Sequence, residues 1–360
     1  MLKAYKYRIY PNKEQEILIQ KTFGCTRFVY NHMLADRIKS YEESKETNTK
    51  IKYPTPAQYK KDYEWLKEVD SLALANAQMN LDQAYKNFFR DKSVGFPKIK
   101  SKKNNHKSYT TNNQGGNIHI KNKKIKLPKM GYVKIKQHRL FTGIIKKCTI
   151  SQVPSGKYFV SILVDTENIQ LPKNDNKVGI DLGLKDYAIT SDGEVFENPK
   201  WLRKSLDKLK KEQRKLSRKE KGSNNRRKQR IKVAKIHEKI TNQRKDYLHK
   251  LSCHITNENQ VIVIEDLKVK NMMKNEKLSR AIGEVGWYEF RTMLQYKCDW
   301  KGRELIIAPT NYASSQLCSN CGNKSSQTKD LDCRTYVCPV CGLEIDRDIN
   351  ASKNLLKLAM

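Results

Sequence analysis

The chain has 360 residues, with 72 lysines and arginines against 38 aspartates and glutamates, which gives a formal net charge of +34 at pH 7. This length predicts two or three domains, and 18 tyrosines, nine phenylalanines and four tryptophans are too many for a disordered chain. No apolar run approaches the roughly 18 residues of a membrane span, and the polar N-terminus resembles no signal peptide, so we expect a cytoplasmic protein without membrane contact.

The positive charge is concentrated in two segments. No acidic residue lies between Asp91 and Asp165, where there are 17 lysines and arginines. From Pro199 to Lys250 there are 21 basic and five acidic residues. An AT-rich genome would raise the lysine content everywhere, but it would not remove the acids from one segment. Because segments of a single charge sign repel themselves, the distribution favours a nucleic acid partner bound through its phosphates.

The first predicted elements are a strand and a long helix. Apolar and basic residues alternate along Lys3–Tyr10, which predicts a strand that Pro11 ends. Asn12 and Gln15 then form a plausible capping box for a helix that continues to about Tyr41.

A second helix and a group of strands follow. Ser71 is a candidate N-cap for this helix, which we expect to end before Gly95. From about Gly115 to Thr166, two alternating segments and the turn sequence VPSGK predict short strands. Together with the first strand, they could close a small β-barrel.

The C-terminal half begins with the sequence VGIDLGLKDYAITSDGEVF, which predicts three short strands joined by turns. Two long basic helices interrupted at Gly222–Asn225 predict a helical hairpin. The apolar segment Val261–Leu267 is typical of a central strand buried on both faces. A helix from about Trp287, the strand ELIIAP, a cysteine-rich segment and a short final helix complete the prediction.

Four of the nine cysteines have the spacing of a zinc ribbon. Cys318 and Cys321 are separated by two residues, as are Cys338 and Cys341, and 16 residues lie between the pairs. A glycine follows each pair and allows the backbone to turn toward the sulfurs. Four thiolates around one Zn²⁺ indicate a structural rather than a catalytic site. Four unrelated free cysteines are the less consistent interpretation, and Cys333 lies between the pairs as a spare thiol.

Three acidic residues stand where metal ligands would be useful. Asp181 lies in the first strand of the C-terminal half, Glu265 ends the apolar segment, and Asp348 begins the last helix. Phosphodiester hydrolysis by two Mg²⁺ ions about 3.5–4 Å apart needs such a cluster of oxygen ligands. The combination is consistent with an RNase H-like nuclease.

Each of these acids, taken singly, also has a structural interpretation. Asp181 could cap a turn, Glu265 could pair with a lysine, and Asp348 could cap its helix. Neighbouring acids are alternative candidates for the same roles. Only the face of the sheet to which each side chain points distinguishes Glu265 from the next residue. The competitors are Asp186, Asp266 and Asp346.

Motifs along nearly the whole chain resemble those of one family. The sequences KAYKYRIYPNKEQ, FGCTRFVYN, LDQAYKNFFR, GFPKIKSK, GIDLGLKDYA, VIEDLKVKNM, CSNCG, CPVCG and DRDINASKN are similar to those of TnpB (OrfB), which bacterial insertion sequences encode. The resemblance implies an α/β multidomain fold with a RuvC-like (RNase H-like) nuclease domain, a zinc-ribbon insertion, and an N-terminal β-barrel (wedge) carrying a helical recognition insertion.

The same resemblance implies domain boundaries. The wedge would comprise residues 1–10 and 111–175, with the recognition helices in residues 11–110. The nuclease domain would comprise residues 176–314 and 343–360, and the zinc ribbon residues 315–342.

By resemblance, the catalytic residues and Mg²⁺ ligands are Asp181, Glu265 and Asp348, and the zinc ligands are the four paired cysteines. The expected cofactors are two catalytic Mg²⁺ ions and one structural Zn²⁺ ion. Eight further residues are candidates for contacts with bases or phosphates: Tyr53, Asn76, Gln78, Lys102, Lys103, Arg226, Arg227 and Arg230. For the first three of these, a structural role is about as well supported.

The implied function is RNA-guided cleavage of double-stranded DNA beside a short transposon-adjacent motif, with a guide RNA derived from the transposon end. A monomer is favoured. Two alternatives stay open at this point: an RNA-guided repressor that binds DNA without cutting it, and a transposase that joins DNA ends, since RNase H-like folds also support strand transfer.

Overall fold

The computed structural model describes residues 1–47, 53–104, 107–325 and 333–360. It divides into two compact units, Met1–Glu167 and Asn168–Met360. Across the described ranges, no helix combines the length and the apolar character needed to cross a membrane.

The first unit contains a seven-stranded antiparallel sheet. The strands are β1 (Leu2–Tyr10), β2 (Lys107–Asn112), β3 (Ile120–Lys121), β4 (Lys124–Leu127), β5 (Gly131–Lys136), β6 (Ile144–Gln152) and β7 (Tyr158–Asp165). Their order is β2-β6-β7-β1-β5-β4-β3. Alternate residues, such as Tyr7 and Ile9, enter one apolar core, as the period of two predicts. No ladder joins β2 to β3 in the described part of the chain, so the hydrogen bonding is open where a closed barrel was expected.

Three helices accompany this sheet in the described residues: α1 (Lys13–Thr47), α2 (Pro56–Asp62) and α3 (Ser71–Arg90). The predicted capping box of α1 is confirmed, because Asn12 and Gln15 exchange hydrogen bonds of 2.8 and 3.1 Å between side chain and backbone. The predicted cap of α3 was wrong by one residue. Asp70, not Ser71, caps this helix, since its carboxylate accepts from the Leu72 N–H at 3.1 Å.

The second unit is built on a five-stranded mixed sheet of order β10-β9-β8-β11-β12. These strands are β8 (Lys177–Leu182), β9 (Asp186–Thr190), β10 (Val195–Glu197), β11 (Val261–Ile264) and β12 (Glu304–Ile307). Strand β11 pairs in parallel with both β8 and β12. The central position predicted from its uninterrupted apolar sequence is therefore confirmed.

Helices cover both faces of this sheet. They are α4 (Trp201–Ser217), α5 (Asn224–Glu258), α6 (Val269–Met272), α7 (Ser279–Val285), α8 (Trp287–Lys301) and α9 (Arg347–Leu356). Helices α4 and α5 form the predicted helical hairpin. One face of the sheet, with Ile180 and Ile264, packs on α5 and α8. On the opposite face, Val263 contacts Leu355 of α9.

The cysteine-rich segment lies between β12 and α9. It contains a two-stranded antiparallel hairpin of β13 (Thr335–Val337) and β14 (Glu344–Asp346). Strand β14 runs directly into α9, so the position of this hairpin fixes where the last helix begins.

Candidate metal centres

The sheet brings Asp181 and Glu265 to adjacent positions. The parallel register pairs Gly179 with Val263 and Ile180 with Ile264. The next position in this register pairs Asp181 with Glu265. Paired residues of neighbouring strands point to the same face of a sheet, so both carboxylates share the face that also carries Gly179.

Helix α9 delivers Asp348 to that face. A side chain at Gly179 would meet the Ser352 carbonyl oxygen at 2.1 Å and the Leu356 nitrogen at 2.5 Å, so the close approach of α9 to β8 requires a glycine. Asp348 lies one helical turn before Ser352 and therefore on the same side of α9. The packing of α9 on β8 thus directs Asp348 toward the two strand carboxylates.

The three carboxylates interact electrostatically. Removal from water raises the pKa of Asp181 well above its usual range, and the charges of Glu265 and Asp348 raise it further. Burial also raises the pKa of Glu265; the hydrogen bond from Ser314 opposes this effect, whereas the charge of Asp348 adds to it. Holding desolvated acids that repel one another raises the free energy of the folded protein, and a bound cation would offset this increase.

Glu265 and Asp266 have opposite environments, which separates the two candidates. Ser314 Oγ donates to Glu265 Oε1 at 2.6 Å. Asp266 forms ion pairs of 2.6 Å with both Lys268 and Arg291, and Thr310 donates to it at 3.0 Å. These interactions, led by the hydrogen bond from Lys268, lower the pKa of Asp266 to about 2. Its oxygens are occupied by protein groups, whereas Glu265 faces the other acids.

Asp346 and Asp348 also have different environments. Asp346 caps α9, since its Oδ1 accepts from the backbone N–H groups of Asp348 and Ile349 at 2.9 and 3.1 Å. The carboxylate of Asp348 instead accepts a hydrogen bond from Arg347 Nε at 3.2 Å and lies 3.9 Å from Arg334 Nη1. The remaining competitor, Asp186, lies opposite Glu197 in the ladder between β9 and β10.

The four paired cysteines form a compact cluster. The Sγ atoms of Cys318 and Cys341 are 3.6 Å apart, those of Cys321 and Cys338 are 3.5 Å apart, and all four lie within 4.8 Å of one another. Backbone N–H groups point at the sulfurs, and the amide of Leu343 helps to lower the pKa of Cys341 to about 6. Four convergent sulfurs with at least one acidified thiol fit a tetrahedral Zn²⁺ site. In the described residues, no other group of three or more histidine, cysteine or acidic ligand atoms is as compact.

The two cysteine pairs sit in equivalent turns. Gly322 N–H donates to the Cys318 carbonyl, and Gly342 N–H donates to the Cys338 carbonyl, both at 3.0 Å. Both glycines have positive φ angles, of 76° and 71°, which a residue with a side chain rarely adopts. The glycines noted in the sequence are therefore required by the turns that direct each pair of sulfurs.

Two buried asparagines join the cysteine segment to α9. Asn350 is fully buried, donates to the Leu317 carbonyl at 2.7 Å and accepts from the Ser319 N–H at 2.9 Å. Asn354 donates to the carbonyls of Ser314 and Leu317 at 2.8 and 2.6 Å. The segment that carries the first cysteine pair is thus tied to the helix that carries Asp348.

The residues expected to read bases have mixed environments. Tyr53 is partly exposed, with the Arg37 guanidinium 4.5 Å above its ring. Asn76 is 7 % exposed and donates to the Leu72 carbonyl at 2.8 Å, which favours the structural alternative for this residue. Gln78 is partly buried.

The residues expected to bind phosphates also fall into two groups, exposed and partly engaged in the fold. Lys102, Lys103, Arg227 and Arg230 are exposed, as phosphate contacts require. Arg226 instead donates through Nη1 to the carbonyl of Leu216, in the last turn of α4, and to that of Lys219, just after the helix, both at 2.8 Å. It closes the helical hairpin, so at least part of its hydrogen-bonding capacity serves the fold.

Several residues around the carboxylates were not predicted from the sequence. The glycine of VGIDLG and the asparagines of DRDINASKN lie within motifs that were noted, but local pattern alone does not say which helix approaches a strand. Ser314 gives no recognisable signal, since it is one of two serines in an irregular segment. These unpredicted residues are Gly179, Ser314, Asn350 and Asn354.

Family profiles match three parts of the chain. The profile OrfB_IS605, described as "Probable transposase", matches residues 161–276. A profile described as "Cas12f1-like, TNB domain" matches residues 287–355, which include the cysteine cluster. A profile described as "Helix-turn-helix domain" matches residues 1–46, where the structure has β1 followed by one unbroken helix.

Two relatives and one solved structure cover nearly the whole chain. A Streptomyces pristinaespiralis protein named "Putative RNA-guided DNA endonuclease" is 39 % identical over 98 % of this chain and 88 % of the relative. The Escherichia coli protein "Putative RNA-guided DNA endonuclease InsQ" is 35 % identical over 99 % of this chain and 92 % of the relative. A structure titled "Cryo-EM structure of the Cas12f1-sgRNA-target DNA complex" shares the fold, with a TM-score of 0.61 at 13 % identity over 99 % of this chain and 98 % of that one. The resemblance predicted from the motifs is confirmed, and the chain belongs to the OrfB (TnpB) family of insertion-sequence proteins.

Proposed function

We propose that the protein is an RNA-guided endonuclease of an insertion sequence that cuts double-stranded DNA beside a short transposon-adjacent motif. The observation that carries this proposal is the convergence of Asp181, Glu265 and Asp348 from two parallel strands and one helix. The names of the two full-length relatives support the same activity.

The three carboxylates would hold two Mg²⁺ ions. Their fit to a hard cation follows from their chemistry and their mutual repulsion, since oxygen donors are the ligands of Mg²⁺ and bound cations would offset the clustered negative charge. Bound metal of this kind activates the attacking water and stabilises the leaving oxygen of a phosphodiester.

Neighbouring residues would keep the ligands in place. Ser314 orients one oxygen of Glu265 through its hydrogen bond. Asp266, held by Lys268 and Arg291, fixes the loop directly after Glu265. Zn²⁺ bound by the four cysteines would hold the segment that Asn350 and Asn354 attach to α9.

The proposed partners are a guide RNA derived from the transposon end and a target DNA. Base pairing with the guide would read the target sequence, while the protein reads backbone shape and the flanking motif. The basic residues of the acid-free segment and of the α4–α5 hairpin would bind phosphates. Residues 1–10 and 111–175 would then be the wedge, residues 11–110 the recognition insertion, residues 176–314 and 343–360 the RuvC-like nuclease domain, and residues 315–342 its zinc ribbon.

The test begins with the RNA. The gene is expressed with its native downstream DNA, the protein is purified in high salt, and the bound RNA is sequenced. We expect one dominant RNA, with a constant part followed by sequence from beyond the element. That RNA is then used to direct the protein to plasmids carrying a matching target and a randomised flanking sequence in Mg²⁺.

The outcomes separate the proposal from its alternatives. Cleavage of guide-matched plasmids that carry one short flanking motif supports the endonuclease. Stable guide-dependent binding without cleavage would identify a repressor. Joining of element ends without RNA would identify a strand-transfer enzyme, which the description of the OrfB profile as a transposase makes worth testing.

A further inference from the structure

A buried lysine and an exposed cysteine are in contact between α5 and α8 in the second unit. Lys297 of α8 is only 4 % exposed, and its Nζ atom lies 3.1 Å from Cys253 Sγ of α5. The same ammonium group donates to the His249 carbonyl and to Ser252 Oγ, both at 2.7 Å. All three N–H groups of the lysine are therefore directed at α5.

Lys297 has no carboxylate partner. Among the described residues, it forms no ion pair with an aspartate or a glutamate. A buried ammonium without a counter-charge is costly, and of its three partners only the thiol readily becomes an anion. Burial lowers the pKa of Lys297, while the hydrogen bond to Cys253 and the charge of that sulfur oppose this effect. The pair can therefore exist as ammonium and thiolate or as amine and thiol.

Cys253 differs from the other thiols outside the zinc cluster. Burial raises the pKa of three of them to about 11 or 12, which keeps them neutral and shielded: Cys25, Cys148 and Cys298. Cys333 donates to a backbone carbonyl. Cys253 is exposed, and a second cation, Lys301, donates to its carbonyl at 3.3 Å. An accessible sulfur beside cations is the kind of thiol that reacts with oxidants.

We infer that Cys253 and Lys297 form a modification site at which one molecule of hydrogen peroxide closes a covalent bond between Sγ and Nζ. Sulfenic acids are known to condense with a nearby nitrogen to a sulfenamide. The distance of 3.1 Å means that a small movement of the flexible lysine side chain brings the two atoms together. The inference does not depend on the proposed function, since the reaction needs neither RNA nor DNA.

The reaction has two steps. The Cys253 thiolate first attacks the peroxide, so that an S–O bond forms, the O–O bond breaks, and the leaving hydroxide takes a proton from the Lys297 ammonium. The products are a sulfenic acid, a neutral amine and one water. The amine then attacks the sulfur, so that an S–N bond forms, the S–O bond breaks, and a second water leaves with a proton of the amine. The sulfur is oxidised, and the peroxide is reduced to two waters.

The bond would protect the thiol and join two helices. A free sulfenic acid is oxidised further to an irreversible sulfinic acid, whereas excess thiol reduces a sulfenamide. Helices α5 and α8 cover the sheet face opposite to α9, so the bond should leave the three carboxylates in place.

The test treats the full-length, zinc-loaded protein with one equivalent of hydrogen peroxide and digests it with trypsin in the absence of reductant. A modified Lys297 is no longer a trypsin site, so residues 251–268 should appear joined to residues 292–301. The mass of this product should be two hydrogen atoms below the sum of the two peptides. Dithiothreitol added before digestion should abolish the product.

Two substitutions of Lys297 separate the charge of its side chain from its nucleophilicity. Lys297→Arg keeps a cation beside Cys253 but provides no amine. It should lose the cross-link and accumulate a sulfenic acid, so that labelling of Cys253 by dimedone during oxidation rises several-fold above wild type. Lys297→Met removes the cation as well, and should also slow alkylation of Cys253 by iodoacetamide. Zinc content and circular dichroism control for folding.

Two further variants are matched controls that should keep the cross-link. Lys301→Met removes the neighbouring amine, which contacts the Cys253 carbonyl and not its sulfur. Cys298→Ser removes the other thiol of residues 292–301. Loss of the product in Cys298→Ser would identify a disulfide and overturn the inference. Equal dimedone labelling of Cys253 in wild type and Lys297→Arg would also overturn it, as would oxidation of wild-type Cys253 to sulfinic acid without any joined peptide.

Discussion

The two candidate metal centres of the second unit differ in how the chain assembles them. The cysteine cluster is made by two short turns of the same design, and its four sulfurs lie within 4.8 Å of one another. The carboxylate cluster draws Asp181, Glu265 and Asp348 from positions far apart in the sequence. These acids do not form so compact a group in the described structure, and they raise the pKa of Asp181 by their proximity.

The fold must therefore hold a different part of each site. Thiols can approach one another closely because the four of them need not all be charged until the metal binds. Carboxylates near neutral pH repel, so the sheet and α9 must hold them together against that repulsion. The cysteine cluster therefore depends on local turns and metal, whereas the carboxylate cluster depends on long-range packing.

The largest effect on cleavage is expected for Asp181→Asn. The change removes a ligand charge and should slow cleavage by about a thousand-fold or more, since metal ions stabilise the transition state by several kcal/mol. The free energy of unfolding without Mg²⁺ should not fall, because a repulsive buried charge has been removed. Single-turnover cleavage and thermal unfolding measure the two effects. A clear loss of stability would contradict the repulsive nature of this site.

For Cys338→Ser, unlike Asp181→Asn, we expect stability to fall together with cleavage. Loss of a thiolate should lower the zinc content below one ion per chain and unfold the ribbon, since structural Zn²⁺ contributes about 10–16 kcal/mol in zinc-finger peptides. Cleavage should fall by about a hundred-fold or more because misplacement of Asp348 disturbs the catalytic geometry. Elemental analysis, limited proteolysis and cleavage rates provide the measurements.

Cys333→Ser is the matched control for this change. Cys333 lies between the two pairs, and its thiol donates to the Thr335 carbonyl at 3.2 Å rather than joining the cluster. This variant should keep one zinc ion per chain and wild-type cleavage. Zinc loss in Cys333→Ser, or full zinc content in Cys338→Ser, would require a different ligand set.

The same contrast explains how much could be predicted from the sequence. The strand at Lys3–Tyr10 and the helical hairpin were predicted from their hydrophobic periods, and the central strand β11 from its uninterrupted apolar sequence, because these patterns are local. The cysteine spacing predicted the sulfur cluster for the same reason. Asp181 and Glu265 were recognised as candidates, but their adjacency is a property of the register between β8 and β11.

What was missed depends on contacts between distant segments. The need for glycine at position 179 appears only when α9 is packed on β8. The buried amides of Asn350 and Asn354 look like ordinary polar residues until the cysteine segment is placed against them. The cap of α3 was misplaced because Asp70 and Ser71 are both good capping residues, and only the structure shows which side chain meets the free N–H groups.

Gly179→Ala tests the dependence of the carboxylate site on long-range packing. The added methyl group would collide with the backbone of α9 and should lower the free energy of unfolding by about 3 kcal/mol. Displacement of Asp348 should slow cleavage by about ten- to a hundred-fold while the zinc content stays at one ion per chain. Gly24→Ala is the control, because a Cβ atom added at this helical glycine would meet no atom of a neighbouring segment within 4 Å. Alanine should raise the free energy of unfolding there by up to about 1 kcal/mol.

The smallest effect is expected for Asp266→Asn, and it decides which acid of the sequence ED is the ligand. The change weakens the ion pairs with Lys268 and Arg291. If the lost interaction energy of about 1 kcal/mol is felt in full by the transition state, cleavage should slow by about fivefold. Glu265→Gln, one residue away, should match Asp181→Asn in its loss of cleavage. Mg²⁺ titrations of the cleavage rate should show an unchanged requirement in Asp266→Asn, since its oxygens are already held by protein groups. Reversal of the two magnitudes would mean that the loop after β11 turns over when metal binds, so that the register between β8 and β11 alone would not determine the site.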